Sequence, residues 1–353
     1  TPPITLCVVN FNGEHRLEET FEAAFACGWQ FPQVLMVDDA STDASVELVR
    51  RRFPQVSLVC LPRNAGPGAA RNAGFAAATS PYILFVDNDV RLGRDAPRLL
   101  VEALRETPGA LIVAPRVLYA SMPSHIQYDS ADCHFLGLMS PRHADRPVAD
   151  VPAGSIQRTG SVVTACFLMD RARWRHGAPF DEDFGFNLED HDFGVRANLF
   201  GHLTLVQPHA TVLHGGGTPG LSYRPGYDTP PRRVFYLVRN RWYVLAKNFS
   251  WRTLILLAPA LLIFECVQVL GLARKGWLSP WRAALRSLLA SRKALRHKRR
   301  DVQVNRTQRD VAILRAGPLP FTAAVTSGRL ERRVIGSLSR LLNGYWYLVR
   351  RLI

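Results

Sequence analysis

The chain has 353 residues, 47% hydrophobic and 21% charged, with a formal net charge of +15; this excludes a disordered tail, a collagen-like fibre and a disulfide-stapled miniprotein. The charge is divided, because residues 1–230 hold 19 arginines against 25 acids, a formal −6, and residues 231–353 hold 25 bases against Glu265, Asp301, Asp310 and Glu331, a formal +21. One basic surface with one purpose is thereby argued against, and two differently built parts are expected.

From the start of the chain, Ile4–Phe11 is an apolar run rich in β-branched residues, and Val34–Val37 and Tyr82–Val86 are similar. Such runs suit strands buried on both faces of a parallel sheet. Between them Leu17, Phe21, Ala24 and Phe25 have helical spacing, and Ser41 or Thr42 is predicted to cap a helix through Val46 and Val49 that ends near Phe53 and Pro54. Val56–Leu61 reads as a further strand and Gly68–Ala78 as a small-residue helix. The alternation β-α-β-α-β-α-β predicts a doubly wound, Rossmann-like α/β sheet with right-handed crossovers, whose ligands bind outside the carboxyl ends of the strands.

Acidic residues collect at those ends. The second strand runs into Asp38-Asp39-Ala40-Ser41-Thr42-Asp43 and the fourth into Asp87-Asn88-Asp89, and Glu189-Asp190-His191-Asp192 opens a predicted helix through Phe193, Ala197 and Phe200. An Asp-x-Asp at a strand end offers oxygen ligands to a hard divalent cation, which takes the rest of its shell from water and a substrate's phosphates. Arg63–Gly74 combines glycines, which let a ligand approach the backbone, with Arg71, which can pair with phosphate or a carboxylate. This stretch has neither the Lys-Ser/Thr of a Walker loop nor the position of a dinucleotide fingerprint, and the alternative reading is a helix packed closely on the sheet. The six cysteines are scattered singly, each in or beside an apolar stretch, and read as reduced core residues of a cytoplasmic protein. No export leader is visible.

The ordered set VVNFN, VDDASTD, NAGPGAARNAG, FVDNDV, GSVVTACFLMDRARW, FNLEDHDFGVRA and ATVLHGGG resembles bacterial glycosyltransferase family 2, and most of all its rhamnosyltransferase-like branch. The resemblance covers residues 4–220 and implies a GT-A fold, a nucleotide-sugar donor, a divalent metal (Mg2+ or Mn2+) and inversion at the anomeric carbon. Carried onto this chain, it sets Asn10, Asp38, Asp39, Arg71 and Asp87 at the donor, with Asp39 beside the nucleobase. It gives Asp89 as the principal metal ligand, with Asp87 and His214 completing the site, and Asp190 as general base with Glu189 as runner-up or orienting group. The implied organisation is a GT-A unit over 1–230, split into a nucleotide-sugar half (1–115) and an acceptor half (116–230), followed by a membrane-associated region over 231–353.

That region contains an apolar stretch, residues 253–273, flanked on both sides by Arg and Lys. Basic residues on both flanks argue against a single crossing, so an in-plane or re-entrant helix is predicted. Trp242, Tyr243, Trp251, Trp277 and Trp281 are expected at the membrane interface, and the Leu/Arg pattern of residues 285–300 and the terminal Leu338–Ile353 segment are expected to lie on anionic lipid. A cut near residue 230 is expected to release most membrane affinity and leave the Asp89 and Asp190 chemistry in the body. The expected partners are a nucleotide-diphosphate sugar, for which the resemblance suggests rhamnose, a lipid-linked or polysaccharide acceptor and an anionic membrane surface, with no nucleic acid, and the expected location is the cytoplasmic face of the bacterial plasma membrane. The alternatives weighed are a sugar-nucleotide nucleotidyltransferase and a catalytically silent membrane or nucleic-acid-binding protein.

Overall fold

In the computed structural model, which describes residues 2–215, 231–320 and 328–353 apart from the side chains at 329 and 330, the predicted alternation is present. It runs β1 (Ile4–Asn10), α1 (Leu17–Ala26), β2 (Gln33–Asp38), α2 (Ser45–Arg52), β3 (Ser57–Cys60), α3 (Pro67–Ala77) and β4 (Tyr82–Asp87). Every residue of β1 is buried because the strand lies between β2 and β4, parallel to both. The register sets Asn10 opposite Asp38 and Val9 opposite Asp87, so three polar side chains finish neighbouring strands at one edge of the sheet. Helix α3 lies against that sheet at Gly74, where a Cβ would collide with the Cys7 sulfur. The cap of α2 differs from the prediction. Ala44 precedes its first residue, Asp43 accepts the Ser45 N–H at 3.0 Å, and Ser41 is instead bonded to Asp38.

The second half departs from a parallel sheet. After β5 (Val90–Leu92) and α4 (Ala96–Glu106) come β6 (Ala110–Tyr119), β7 (Met122–Tyr128), β8 (Ala131–His134), β9 (Met139–Pro141), β10 (Gln157–Thr159) and β11 (Cys166–Asp170), then α5 (Glu189–Leu199) and β12 (Leu203–His214). The main sheet has the order β10-β12-β6-β11-β4-β1-β2-β3, with β5 on β12 and β7 on β6. Strand β11 is antiparallel to both β4 and β6, because it returns from the excursion that makes β7 to β10 rather than from a crossover helix. The return brings Ala165 beside Asp87, whose N–H donates to the Ala165 carbonyl at 2.8 Å.

The basic region forms α6 (Pro231–Asn248), α7 (Trp251–Arg274), α8 (Leu278–Ala290), α9 (Arg292–Asn305), α10 (Asp310–Ile313), β13 (Leu314–Arg315) and α11 (Arg329–Val349). It shares structure with the body. Strand β13 pairs in parallel with β8, and one apolar cluster joins Phe184 and Val195 of the body to Tyr243, Phe249, Leu257 and Trp346. The aromatic expectation is corrected accordingly. Tyr243 is wholly buried with its ring 5.7 Å from that of Phe184; Trp242, Trp277 and Trp281 pack around Val234, Val238 and Ala284, and of the five only Trp251 is exposed. Two cysteines also differ from the core reading: Cys60 and Cys266 are exposed, whereas the other four are buried and all six are free thiols.

Part of the basic charge is spent internally. The Lys247 ammonium, 2% exposed, donates to Asp181 at 2.7 Å and to Asp192 at 2.8 Å, Asn248 donates to the second oxygen of Asp192, and Lys298 pairs with Asp181 and Asp183. Burial pushes the Asp192 carboxyl up, but Lys247 and Arg196 outweigh it and hold it below the ordinary range. A cut near 230 therefore also removes the cation on which the wholly buried Asp192 carboxylate of the body depends. Lys247→Met is expected to cost about 3 kcal/mol by chemical denaturation, the lower end for breaking a buried pair, because Arg196 and Lys298 stay in place. A cost within error of zero would mean that water or another cation replaces Lys247. The boundary at 230 and the last glycines of the HGGG motif lie outside the described residues.

Candidate active site

At the carboxyl edge, the buried Asn10 amide donates to Asp38 at 2.7 Å and to the Ser41 hydroxyl at 3.1 Å, while its oxygen accepts from Asn88 at 2.7 Å. Asp38 also accepts the Ser41 N–H at 2.9 Å, so the turn after β2, with Ala40 at φ 56°, is tied to the strand it leaves. Asp39 points the other way. Its two oxygens take the N–H groups of Ala65 at 2.7 Å and Gly66 at 2.9 Å, bracing the loop that opens α3. Burial raises the Asp39 carboxyl and those two N–H groups temper the rise. Gly66, at φ 92°, is required there, since a Cβ would strike the Gly185 carbonyl.

Asp89 lies 3.2 Å from His214 Nε2 and accepts from Arg16 at 2.9 Å. The other ring nitrogen, Nδ1, is 2.7 Å from Gln127 Oε1, so the ring is held from both sides, with Nε2 facing the carboxylate. Burial lowers the His214 imidazole, but Asp89 and Asp87 more than offset it and the net shift is upward. A carboxylate and an imidazole nitrogen side by side suit a divalent cation as two ligands of an incomplete shell. Among the described residues no three His, Cys, Asp or Glu side chains are gathered into a ready metal cluster.

Asp87 is turned instead toward Arg71. This guanidinium, 2% exposed, donates to Asp87 at 2.7 Å and to the Thr164 carbonyl at 3.1 Å, and lies 3.5 Å from Glu189. Arg71 thus bridges the acidic edge of the sheet to the start of α5. Its Nε and one terminal nitrogen, and Glu189 Oε2, are buried without hydrogen-bond partners, which leaves polar atoms for a ligand. Asp190, next in α5, accepts the N–H of His191 at 2.7 Å. Burial pushes both Glu189 and Asp190 upward, Glu189 being raised further by Asp190, while Arg71 draws both back.

Residues 5–187 match the sequence profile described as Glycosyl transferase family 2. The chain belongs to this family. As a family 2 glycosyltransferase it is similar to the succinoglycan biosynthesis protein ExoO of Rhizobium meliloti, 37% identical over 102 residues that make up 29% of each chain. It is also similar to the N-acetylglucosaminyl-diphospho-decaprenol L-rhamnosyltransferase of Mycobacterium tuberculosis, 29% identical over 222 residues that cover 56% of this chain and 71% of the relative. The match thus spans under a third of the first relative's length. Solved structures similar to it include Staphylococcus aureus TarS 1–349, with a TM-score of 0.51 at 15% identity over 98% of this chain and 91% of that one. The mannosyltransferase of Pyrobaculum calidifontis, solved with GDP-Man and Mn2+, gives 0.50 at 17% identity over 98% and 87%. At these identities the likeness establishes the GT-A fold and nothing more of function.

Family membership sets aside the nucleotidyltransferase and the non-enzymic readings. Within this glycosyltransferase, Asn10, Asp38, Asp39, Arg71, Asp87, Asp89 and His214 stand at one edge of the sheet and Arg71 connects it to Glu189, as just described. Three participants escaped the sequence reading. Asn88 is a neutral residue between two carboxylates in Asp87-Asn88-Asp89, Gln127 lies in a polar stretch with no periodic signal, and Arg16 precedes an ordinary amphipathic helix. Only the fold brings Arg16 to Asp89 and Gln127 to His214.

Proposed function

We propose that this glycosyltransferase moves a sugar, with inversion, from a nucleotide-diphosphate donor to a lipid-linked or growing cell-surface glycan on the cytoplasmic face of a bacterial plasma membrane. The observation that carries the reading is the buried Arg71, which joins Asp87 on the donor edge to Glu189 beside Asp190 and so sets a charge-binding edge against a candidate base. The mycobacterial relative, which by name transfers L-rhamnose to a decaprenol-diphosphate-linked sugar, supports rhamnose as the first donor to try.

Asn10, Asp38 and Asp39 shape the nucleotide pocket, Asp39 through the Ala65–Gly66 loop that it holds. Asp190 takes the proton from an acceptor hydroxyl as that oxygen attacks the anomeric carbon from the face opposite the nucleotide; the bond to the diphosphate oxygen breaks and its electron pair leaves with the diphosphate. Glu189, fixed by Arg71, orients the acceptor or the base. Asp89 and His214, with Asp87 nearby, would hold Mg2+ or Mn2+, which would supply positive charge to offset that of the diphosphate. Residues 1–230 form the transferase unit, 1–115 for the nucleotide sugar and 116–230 for the acceptor.

Residues 231–353 attach the enzyme to anionic lipid. In α7 one face, with Leu257, Ala260, Leu261 and Phe264, is buried, while Trp251, Ile255, Leu262 and Leu270 on the other are 63–70% exposed. This is the one described helix long and apolar enough to cross a membrane. Its half-covered state and its exposed neighbours Arg252 and Arg274 fit a helix lying in the interface.

The test is a panel of nucleotide-diphosphate sugars with Mg2+ or Mn2+ and vesicles carrying a polyprenyl-diphosphate-linked sugar. One donor is expected to be turned over, with NMR showing the product anomer inverted. Turnover of none, or a retained anomer, sinks the reading. In flotation, the chain is expected to bind vesicles containing anionic phosphatidylglycerol and to leave neutral ones at 0.5 M salt; equal binding to both would remove the electrostatic part.

A further inference from the structure

Helix α6 reaches under the loop that leads into α5. The side chain of Asn240, fully buried, directs its amide nitrogen at three carbonyls of that loop: Phe184 at 3.0 Å, Phe186 at 2.9 Å and Asn187 at 2.6 Å. Its own oxygen accepts from Arg239 at 2.8 Å, which fixes the orientation of the amide. An amide has two N–H groups, so three converging carbonyls use its donor capacity fully.

The loop needs such a hold. Asn187 and Leu188 stand consecutively at φ 64° and 65°; asparagine tolerates this left-handed region, but leucine rarely adopts it, so the strain lies at Leu188, and Glu189 and Asp190 follow at once. The same loop carries Gly185, whose carbonyl packs on Gly66, and the N–H of Gly66 is held by Asp39. One side chain from the basic C-terminal region is thus in contact with a strained turn that touches the donor loop and presents the two carboxylates of α5.

We propose that Asn240 is a positioning residue for glycosyl transfer, its buried amide holding the 184–188 turn so that Asp190 is presented to the acceptor hydroxyl. This rests on the reading of Asp190 as the base. It gives the C-terminal region a part in turnover apart from attachment to lipid. A misplacement of about 1 Å at a reacting group costs on the order of 100-fold in rate, so loss of the three hydrogen bonds should show in kcat rather than in nucleotide affinity.

The test uses the full chain and four variants: Asn240→Ala, Asn240→Ser, Asp190→Asn and the Asn240→Ala/Asp190→Asn double. Calorimetric titration with UDP and dTDP in the presence of Mn2+ gives binding stoichiometry and Kd, and the donor turned over fastest gives kcat and KM. Asn240→Ala is expected to bind at a stoichiometry near one with Kd within about threefold of the parent, and to lose about 30-fold in kcat. Asn240→Ser, which keeps one donor, should lose less and serves if the alanine variant folds poorly. A residue acting through Asp190 is non-additive with it, so the double variant should be within about threefold of Asp190→Asn alone. Parental kcat in both Asn240 variants, losses that multiply in the double, or a kcat that merely follows a reduced stoichiometry would each overturn the proposal. Parental kcat in Asp190→Asn would instead remove the base assignment, a separate result.

Discussion

Asp190→Asn is expected to lower kcat by about 1,000-fold while nucleotide Kd stays within about threefold. General-base catalysis contributes roughly 100- to 10,000-fold, and the substitution removes the proton acceptor without changing the shape of the side chain. The pH dependence gives the same variant a second readout. Burial lifts the Asp190 carboxyl above the ordinary carboxylate range, with Arg71 and the His191 N–H only partly opposing it. A base must be ionised to act, so activity should be lost as pH falls through this raised value, at a higher pH than an exposed aspartate would give. The residual turnover of Asp190→Asn should lack that acid limb. A near-parental kcat, or an acid limb that persists unchanged in the variant, would transfer the role to Glu189, whose carboxyl burial and Asp190 raise further.

Asp89→Ala should act on binding instead. We expect metal-dependent nucleotide affinity to fall about 100-fold, since even outer partners of metal ligands are worth about 10- to 100-fold in affinity. Metal-independent nucleotide binding should change little, because the loop braced by Asp39 is untouched. The measurement is nucleotide titration with and without Mn2+, together with EPR of free Mn2+. The proton on His214 supplies a check of sign: the adjacent Asp89 raises the imidazole, so its removal should let the His214 pKa fall by NMR. Unchanged Mn2+-dependent affinity in Asp89→Ala would show that the cation is held elsewhere.

The donor edge was legible in the sequence because its residues are local to strand ends. Once Ile4–Asn10, Gln33–Asp38 and Tyr82–Asp87 are recognised as strands, a parallel register carries Asn10, Asp38 and Asp87 to one edge without further information. The Glu189-Asp190 pair was legible as a motif, but its distance from that edge was not, because it depends on the antiparallel β11 and on Arg71 reaching across. The partners of Lys247 and Asn240 are not legible in the sequence for a related reason. Composition averages a helix, and α6 resembles a membrane-surface helix in composition although its Lys247, Asn240 and Tyr243 are buried against the body.

The opposite charges, −6 and +21, predict two differently built parts, and the structure joins them in part. What the sequence determined by itself is the family, the alternating nucleotide-binding half and the identity of the carboxylates, because these follow from local periodicity and from motifs at strand ends. Only the tertiary structure decided that β11 runs antiparallel, that Arg71 links the two acidic groups, and that the basic region supplies Lys247 to Asp192 and Asn240 to the 184–188 turn. The physical reason is burial. A charge or an amide removed from water must find its partner wherever the fold brings one, and over separations of 53 to 56 residues, as between Asn240 and its turn or Lys247 and Asp192, neither spacing nor composition says which it will be.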